Sequence, residues 1–501
     1  MNIQQAKEEI VHTVRAYLQK DEEGAYCFPA VQQRPLLLMG PPGIGKTAIM
    51  EQAAAQCGVE LVAYTMTHHT RQSAVGLPKI VEKTYGGAAV AVTEYTMSEI
   101  IASVYDAMER TGNREGILFL DEINCVSETL APTMLQFLQN KTFGTHRLPE
   151  GWVVAAAGNP PEYNKSVREF DVVTLDRVRQ INVEADLPVW LDYAREKQLH
   201  GAVISYLTVK PDRFYAIERK NGELSFVTAR GWEDLSRILL SYEEWNAPIT
   251  EALVSQYLHR EDTVRDFAAY YRLYRRYGTD YGIAELLDGA LSADTYQEKV
   301  TMAAGGSFDE RVSVVNLILE SLQTRLREYR ELDAKAVQLH DVLRRFRGLS
   351  QTLPEFIAAN RAALDVKRKN NLISREDARR ESWVLSRLEQ METVVRERRI
   401  REKDGAFACL KEQFGEDLSR REASVDAVSR GLETAFRFVL DSFGQGQELT
   451  LLVTCLTKMP DAQNYLRRHG CNAYLRCADV LLYHEQEQTL QKACRALLGN
   501  D

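Results

Sequence analysis

Gly40-Pro-Pro-Gly-Ile-Gly-Lys46-Thr47 follows directly on an apolar run, Leu36-Leu-Leu-Met39, and leads into a helical stretch, Thr47 to Gln56. The eight residues fit the pattern G-x-x-x-x-G-K-[ST]. Each part has a physical reason. Glycines let backbone N–H groups turn inward around phosphate oxygens, and a helix starting near Lys46 aims the positive end of its dipole at them. Lys46 supplies a point charge for the β- and γ-phosphates, and the Thr47 hydroxyl is a hard oxygen ligand for Mg²⁺. Gly40, Pro41, Pro42, Gly43, Ile44, Gly45, Lys46, Thr47 and Ala48 are the expected nucleotide contacts. The strand before the loop and the helix after it distinguish it from an idle glycine turn.

Two further stretches complete this loop. Ile117-Leu-Phe-Leu-Asp121-Glu122 is an apolar strand ending in two carboxylates, at the end of a parallel strand where ligands bind. Asp121 is expected to join Thr47 in the Mg²⁺ shell, and Glu122 to orient and polarise the attacking water. Val153-Val-Ala-Ala-Ala157 runs into Gly158-Asn159-Pro160. The Asn159 amide can orient water and touch a γ-phosphate; the plainer reading is a turn-forming Asn-Pro.

Working outward, Val59 to Tyr64 and Gln180 to Val183 also read as strands, and Met97 to Glu109 as a helix. Nearly continuous apolar strands alternating with helices imply a parallel sheet covered on both faces, an α/β three-layer P-loop NTPase core over 1–185. Lys79 to Val92 reads as a hairpin turning at Gly86-Gly87. From Asp186-Leu-Pro188 the pattern turns helical, with turns at Pro211-Asp and Asn221-Gly, so 186–305 is expected to be a helical lid and connector. Gly305-Gly306 breaks the chain, and Ser307-Phe-Asp-Glu310 is a capping box that opens a long helix in an all-helical region, 306–501.

From there Val315, Leu319, Leu322, Leu326 and Tyr329 recur at alternating four- and three-residue steps, and Leu332, Ala336, Leu339, Leu343 and Phe346 continue the stripe. That is a coiled-coil-like seam. A second line, Leu385, Leu388 and Val395 within 375–401, offers a surface to pair with it, which predicts an antiparallel helical arm over 312–403. Residues 361–430 hold 17 basic and 14 acidic side chains. Mixed signs of this kind indicate solvated helix faces rather than a polyelectrolyte tail. In the last helical stretch Leu449, Leu452, Leu456, Leu475 and Leu481 are the expected core.

The whole chain, 501 residues with 45% hydrophobic and 27% charged, is too apolar for wholesale disorder. Its formal charge of −9 leaves nucleic acid without a generally basic surface to bind. No uncharged apolar run approaches the roughly 18 residues a membrane span needs, and the first residues lack a signal-peptide pattern. A cytoplasmic protein without membrane insertion is expected. The cysteines at 27, 57, 125, 409, 455, 471, 477 and 494 form no Cys-x-x-Cys pair and read as reduced thiols. His68-His69 lacks partners at ligand spacing, so a polar surface is the favoured reading over a metal site.

Taken in order, Gly40 to Thr47, Leu120-Asp-Glu-Ile-Asn124, Gly158-Asn-Pro-Pro161, Leu175-Asp-Arg177 and Thr228-Ala-Arg-Gly-Trp-Glu-Asp-Leu-Ser236 resemble the AAA+ ATPases, specifically the MoxR-like branch, over about residues 30–240. The resemblance implies a homo-oligomeric, hexameric ring that hydrolyses ATP with Mg²⁺ at sites between neighbours. It aligns Asn159 with the first sensor, Arg177 with the arginine finger (Arg179 being its rival), and Arg230 with the second sensor on the lid. Lys46, Glu122, Asn159, Arg177 and Arg230 thus form the expected catalytic set. The hairpin resembles the insert in helix two of this branch, and 68–78 falls where the family has a pore-facing loop. There are departures: Cys125 replaces a basic residue, Ala229 a proline and Val178 an aromatic residue. The implied role is chaperone-like remodelling of a protein client, often with a von Willebrand factor type A domain partner. The alternatives are a motor on nucleic acid, or one driving a nuclease, and a ring in which nucleotide only switches assembly.

Overall fold

The computed structural model describes residues 1–479 apart from 69–73, 75, 144–145, 164–166, 168–169, 221–222, 370–372 and 401. The chain forms two compact units, Met1–Ala269 and Tyr270–Asp501.

The first unit is built on strands β1 (Leu36–Met39), β2 (Glu60–Thr65), β5 (Gly116–Asp121), β8 (Trp152–Gly158) and β9 (Arg179–Asn182). Between them in the chain lie the hairpin strands β3 (Pro78–Tyr85) and β4 (Ala88–Tyr95) and the two-residue strands β6 (Thr142–Phe143) and β7 (His146–Arg147). The five form one parallel sheet in the order β2-β5-β8-β1-β9. Successive strand residues serve opposite faces, as the pleat requires. Leu37, Leu118, Leu120, Val154 and Ala156 pack under the helices Glu99–Thr111 and Ala131–Asn140. Leu36, Leu38, Ile117, Phe119, Val153 and Ala155 pack under Ile3–Tyr17 and Lys46–Cys57. With apolar residues on both faces, the central strands read as unbroken hydrophobic runs. The chain leaves β1 toward one side of the sheet and returns to β9 on the other. The C-terminal ends of β1, β5 and β8 therefore meet where the strand order reverses, the usual ligand crevice of such sheets.

The hairpin β3–β4 pairs Tyr85 with Ala88 around Gly86 and Gly87. Their φ angles of 57° and 88° suit a two-residue turn that only glycine adopts cheaply. Beyond residue 186 the unit is helical except for a ribbon, Ala216–Lys220 with Glu223–Val227, which the helical reading of this stretch did not foresee. The Asn221-Gly turn lies outside the described residues, as do His69 and most of the 68–78 loop.

The second unit is helical. Ser307 caps the 41-residue helix Phe308–Gly348 by accepting the Glu310 N–H. The seam from Val315 to Phe346 is buried as expected, except that Leu332 is only half-buried. Its partner differs from expectation. The helix runs along Lys403–Phe443, with Leu322 beside Gly431, His340 beside Phe414 and Arg347 over Phe407, an antiparallel pairing. Leu353–Lys369 pairs antiparallel with Arg375–Glu397 through Lys367–Glu381 and Arg361–Glu389. Arg375–Glu397 also pairs antiparallel with Lys403–Phe443, through Arg387–Asp417 and Arg398–Glu412. The predicted antiparallel pairing of 312–346 with 375–401 is thus corrected. Both segments run antiparallel to Lys403–Phe443 and hence point the same way. Short connections at 349–352, 370–374 and 398–402 leave each helix room only to double back. Leu339, Phe346, Phe356, Leu388, Met391 and Leu410 share the core of this four-helix end. A separate core joins Val315 to Leu326 with Val428 to Val439 and the later helices.

Leu449, Leu452 and Leu456 are buried, but Leu475, expected in the core, is 54% exposed, and Leu481 lies outside the described residues. Cys27, Cys57, Cys125, Cys409, Cys455, Cys471 and Cys477 are free thiols; Cys494 is outside the described residues. Among the described residues no helix is long and apolar enough to cross a membrane.

Candidate nucleotide-binding site

The loop Gly40–Gly45 leaves β1 and enters the helix Lys46–Cys57 with Gly43 at φ 73° and Gly45 at φ 97°. At Gly43 a side chain would also collide with Thr228, since a Cβ there would lie 3.0 Å from the Thr228 Cβ. Lys46 is only 8% exposed. Its ammonium donates to Gly40 O at 2.7 Å, Pro41 O at 2.9 Å and Asn159 Oδ1 at 2.8 Å. Burial pulls its pKa down to about 8; the Arg230 charge adds to this, while Asp121 and Glu122 oppose it. The ammonium thus sits in a weakly solvated position from which added anionic charge would recover a large interaction.

Thr47 Oγ1 donates to Asp121 Oδ2 at 2.8 Å. A hydroxyl and a carboxylate in contact form a hard oxygen donor pair that fits Mg²⁺. Asp121 Oδ1 accepts the Glu122 N–H at 2.9 Å, which orients the carboxylate. Glu122 itself takes φ 56°, a left-handed conformation costing a non-glycine residue roughly 1–2 kcal/mol. The turn ends β5 abruptly and starts the short 3₁₀ segment Ile123–Cys125.

Asn159 follows β8, whose end is level with β1 through the Met39–Gly158 pairing. It is held by Asn124, which sequence reasoning quoted but gave no role. The Asn124 amide donates to Asn159 O at 2.8 Å and its Oδ1 accepts the Asn159 N–H at 3.3 Å. Asn124 is 2% exposed, and Gly158 leaves room for it, since a Cβ at 158 would come within 2.7 Å of Asn124 Oδ1. The available signal was a polar residue set in an otherwise apolar turn directly after Asp-Glu. Cys125 is half-buried beside it.

The two arginines proposed as rivals differ. Arg179 donates to Thr13 Oγ1 and pairs with Glu9, both on the helix Ile3–Tyr17 of its own chain. Arg177, in the turn after Val172–Leu175, is exposed, and among the described residues no hydrogen bond or ion pair engages its guanidinium. The structure therefore does not bring Arg177 to this chain's own loop. Arg230 does reach it. Its backbone N–H donates to Gly43 O at 3.1 Å, from the first turn of the helix Ala229–Glu244 that Thr228 caps. Tyr215, unassigned from sequence, donates its hydroxyl to Pro42 O at 2.8 Å. Nothing local marked it, because the two residues lie 173 positions apart.

Among the described residues no group of three or more His, Cys, Asp or Glu side chains is placed to hold a metal ion. Residues 36–176 match the family model described as ATPase family associated with various cellular activities (AAA). No curated protein matches the chain. The matched segment, which carries the loop, the Asp121-Glu122 strand end and Asn159, is thus similar to AAA ATPase domains.

Proposed function

We propose that the protein is an ATP-hydrolysing AAA+ ATPase of the MoxR-like type that works as a homo-oligomeric ring, a hexamer, and remodels partner proteins in a chaperone-like role. The observation that carries the hydrolytic reading is the convergence of Lys46, Thr47, Asp121 and Asn159 within hydrogen-bond distance, with Glu122 next in chain to Asp121. Phosphoryl transfer to water needs positioning and charge stabilisation rather than covalent chemistry. Lys46 and the loop N–H groups bind the phosphates. Thr47 and Asp121 would hold Mg²⁺, which would supply neutralisation of phosphate charge. Glu122 orients the water and takes up its proton, and Asn159 fixes the water and the γ-phosphate relative to Lys46. Arg230, already at the loop, serves as the sensor on the lid segment 186–305.

The trans reading rests on Arg177, which is exposed while its rival Arg179 is engaged within its own chain. In a ring, Arg177 would complete a neighbour's site. The four-helix end within 312–403 and the start of Lys403–Phe443 has no part in phosphate chemistry and is assigned to docking a client or a von Willebrand factor type A domain partner. The test of the hydrolytic reading is Glu122→Gln. It should bind ATP as the wild type does and turn over at least 100-fold more slowly, equivalent to roughly 3 kcal/mol of barrier. Wild-type turnover in that variant would refute the reading.

A further inference from the structure

Four consecutive carbonyls of the phosphate loop have identified partners. Gly40 O and Pro41 O accept from the Lys46 ammonium. Pro42 O accepts from the Tyr215 hydroxyl and Gly43 O from the Arg230 N–H. The first two are held from within the loop, the last two by residues at 215 and 230, outside the matched family segment.

This division has a geometric consequence. In a planar trans peptide the C=O of one residue and the N–H of the next point in opposite directions. Holding Pro42 O and Gly43 O on the side of Tyr215 and Arg230 turns the N–H groups of Gly43 and Ile44 to the other side of the loop. Gly43, at φ 73°, is the residue whose peptide planes rotate most freely, so without outside partners this turn would sample other orientations.

Tyr215 and Arg230 are also mechanically joined. Trp232, fully buried and two residues after Arg230, donates its indole N–H to Phe214 O at 3.1 Å, next in chain to Tyr215. Phe214 in turn packs against Trp190, with ring centroids 5.3 Å apart. The segment bearing the hydroxyl and the helix start bearing the N–H therefore move together.

We propose that Tyr215 is a positioning residue of the nucleotide site. Its hydroxyl sets the Pro42–Gly43 peptide plane so that the loop N–H groups face the phosphates, and it couples the loop to the segment that carries Arg230. The proposal rests on the reading of this loop as the nucleotide site.

The test compares Tyr215→Phe, which removes one hydroxyl and keeps the ring, with the wild type and with Lys46→Ala. Affinity for a fluorescent ADP analogue, KM and kcat for ATP, and the melting temperature without nucleotide are measured on the full chain. A lost hydrogen bond of ordinary net worth predicts roughly 3- to 10-fold weaker ADP binding and a matching rise in KM. The kcat at saturating ATP should stay within about twofold, because bound phosphates can re-impose the loop geometry. The nucleotide-free melting temperature should fall by only about 2–4 °C, the share of one hydrogen bond. Wild-type ADP affinity in Tyr215→Phe overturns the proposal. So does an equal fall of kcat and affinity with a melting temperature lowered by about 10 °C or more, which would mean general loosening. If Lys46→Ala itself binds ADP normally, the nucleotide-site reading fails. If Lys46→Ala loses binding and Tyr215→Phe does not, only the role of Tyr215 fails.

Discussion

Replacing Asn124 by alanine removes one side chain and strands two backbone groups. Asn159 loses the partner of its carbonyl, now 2.8 Å from the Asn124 amide, and the acceptor of its N–H, now 3.3 Å away. The site is buried, with Asn124 only 2% exposed, so both groups incur desolvation that nothing nearby offsets. A buried unpaired polar group costs about 1–3 kcal/mol, and the second bond is long, so about 2–3 kcal/mol is expected for the pair. For a cooperative unit of this size that lowers the melting temperature by about 4–12 °C. The functional effect is separate. Asn159 is the side chain joined to Lys46, and freeing its backbone should lower kcat at least tenfold, equivalent to about 1.4 kcal/mol of barrier. ADP affinity should change less than about threefold, because the loop contacts do not involve Asn124. Thermal unfolding, steady-state phosphate release and ADP titration read the three quantities. Asn124→Asp should be at least as damaging in kcat, since it keeps the acceptor for the Asn159 N–H but sets a carboxylate oxygen against the Asn159 carbonyl. A kcat and melting temperature unchanged in Asn124→Ala would refute the reasoning.

Other expectations follow from the same geometry. Arg177→Ala should lose turnover by roughly 10³-fold or more while keeping ADP affinity, and mixing it with Lys46→Ala should restore some activity; no rescue in confirmed mixed assemblies would place the whole site within one chain. Arg179→Ala should keep turnover and cost less than about 1 kcal/mol, because its pair with Glu9 is half-exposed. Lys46 and Lys141 are both held down to about 8, chiefly by burial, against an ordinary 10.5. Between those values the unfolded chain binds more protons than the folded one, so stability in urea should rise as pH increases through that window. ADP affinity should fall over the same range, and Lys141→Met should flatten the stability rise; a rise unaffected by Lys141→Met would contradict the assignment. Replacing 338–413 by a short turn removes the four-helix end but leaves Val315 to Leu326 paired with Val428 to Val439. Circular dichroism and ATPase assays should show a folded, active protein, with partner-stimulated turnover lost; loss of basal ATPase would assign the bundle to the engine.

Much of the first unit could be read directly from the residues. The phosphate loop, the strand ending in Asp121-Glu122 and the Asn159 turn are contiguous motifs, each set by backbone geometry over a few residues. Continuous apolar strands with helices between them admit few arrangements besides a covered parallel sheet. The order of the strands came from folding alone, whereas the meeting of the three motifs at one crevice was already implied by the motifs. The Gly86-Gly87 turn was equally local, since both residues need positive φ.

What the sequence left open depends on contacts between residues far apart in the chain. An apolar stripe shows that a helix has a partner without saying which. The seam of Phe308–Gly348 suited 375–397 and 403–443 alike, and the short connections decided between them by forcing each helix back along the one before. Tyr215 and Arg179 bear no mark of their roles, because a polar side chain has the same identity in water as against a buried partner. Only the tertiary structure brings Tyr215 to Pro42 across 173 residues and Arg179 to Thr13 across 166, leaving Arg177 exposed. Local chemistry therefore determined what the loop is built to hold. Long-range packing determined how its peptide planes are held and which of the two arginines is engaged within its own chain.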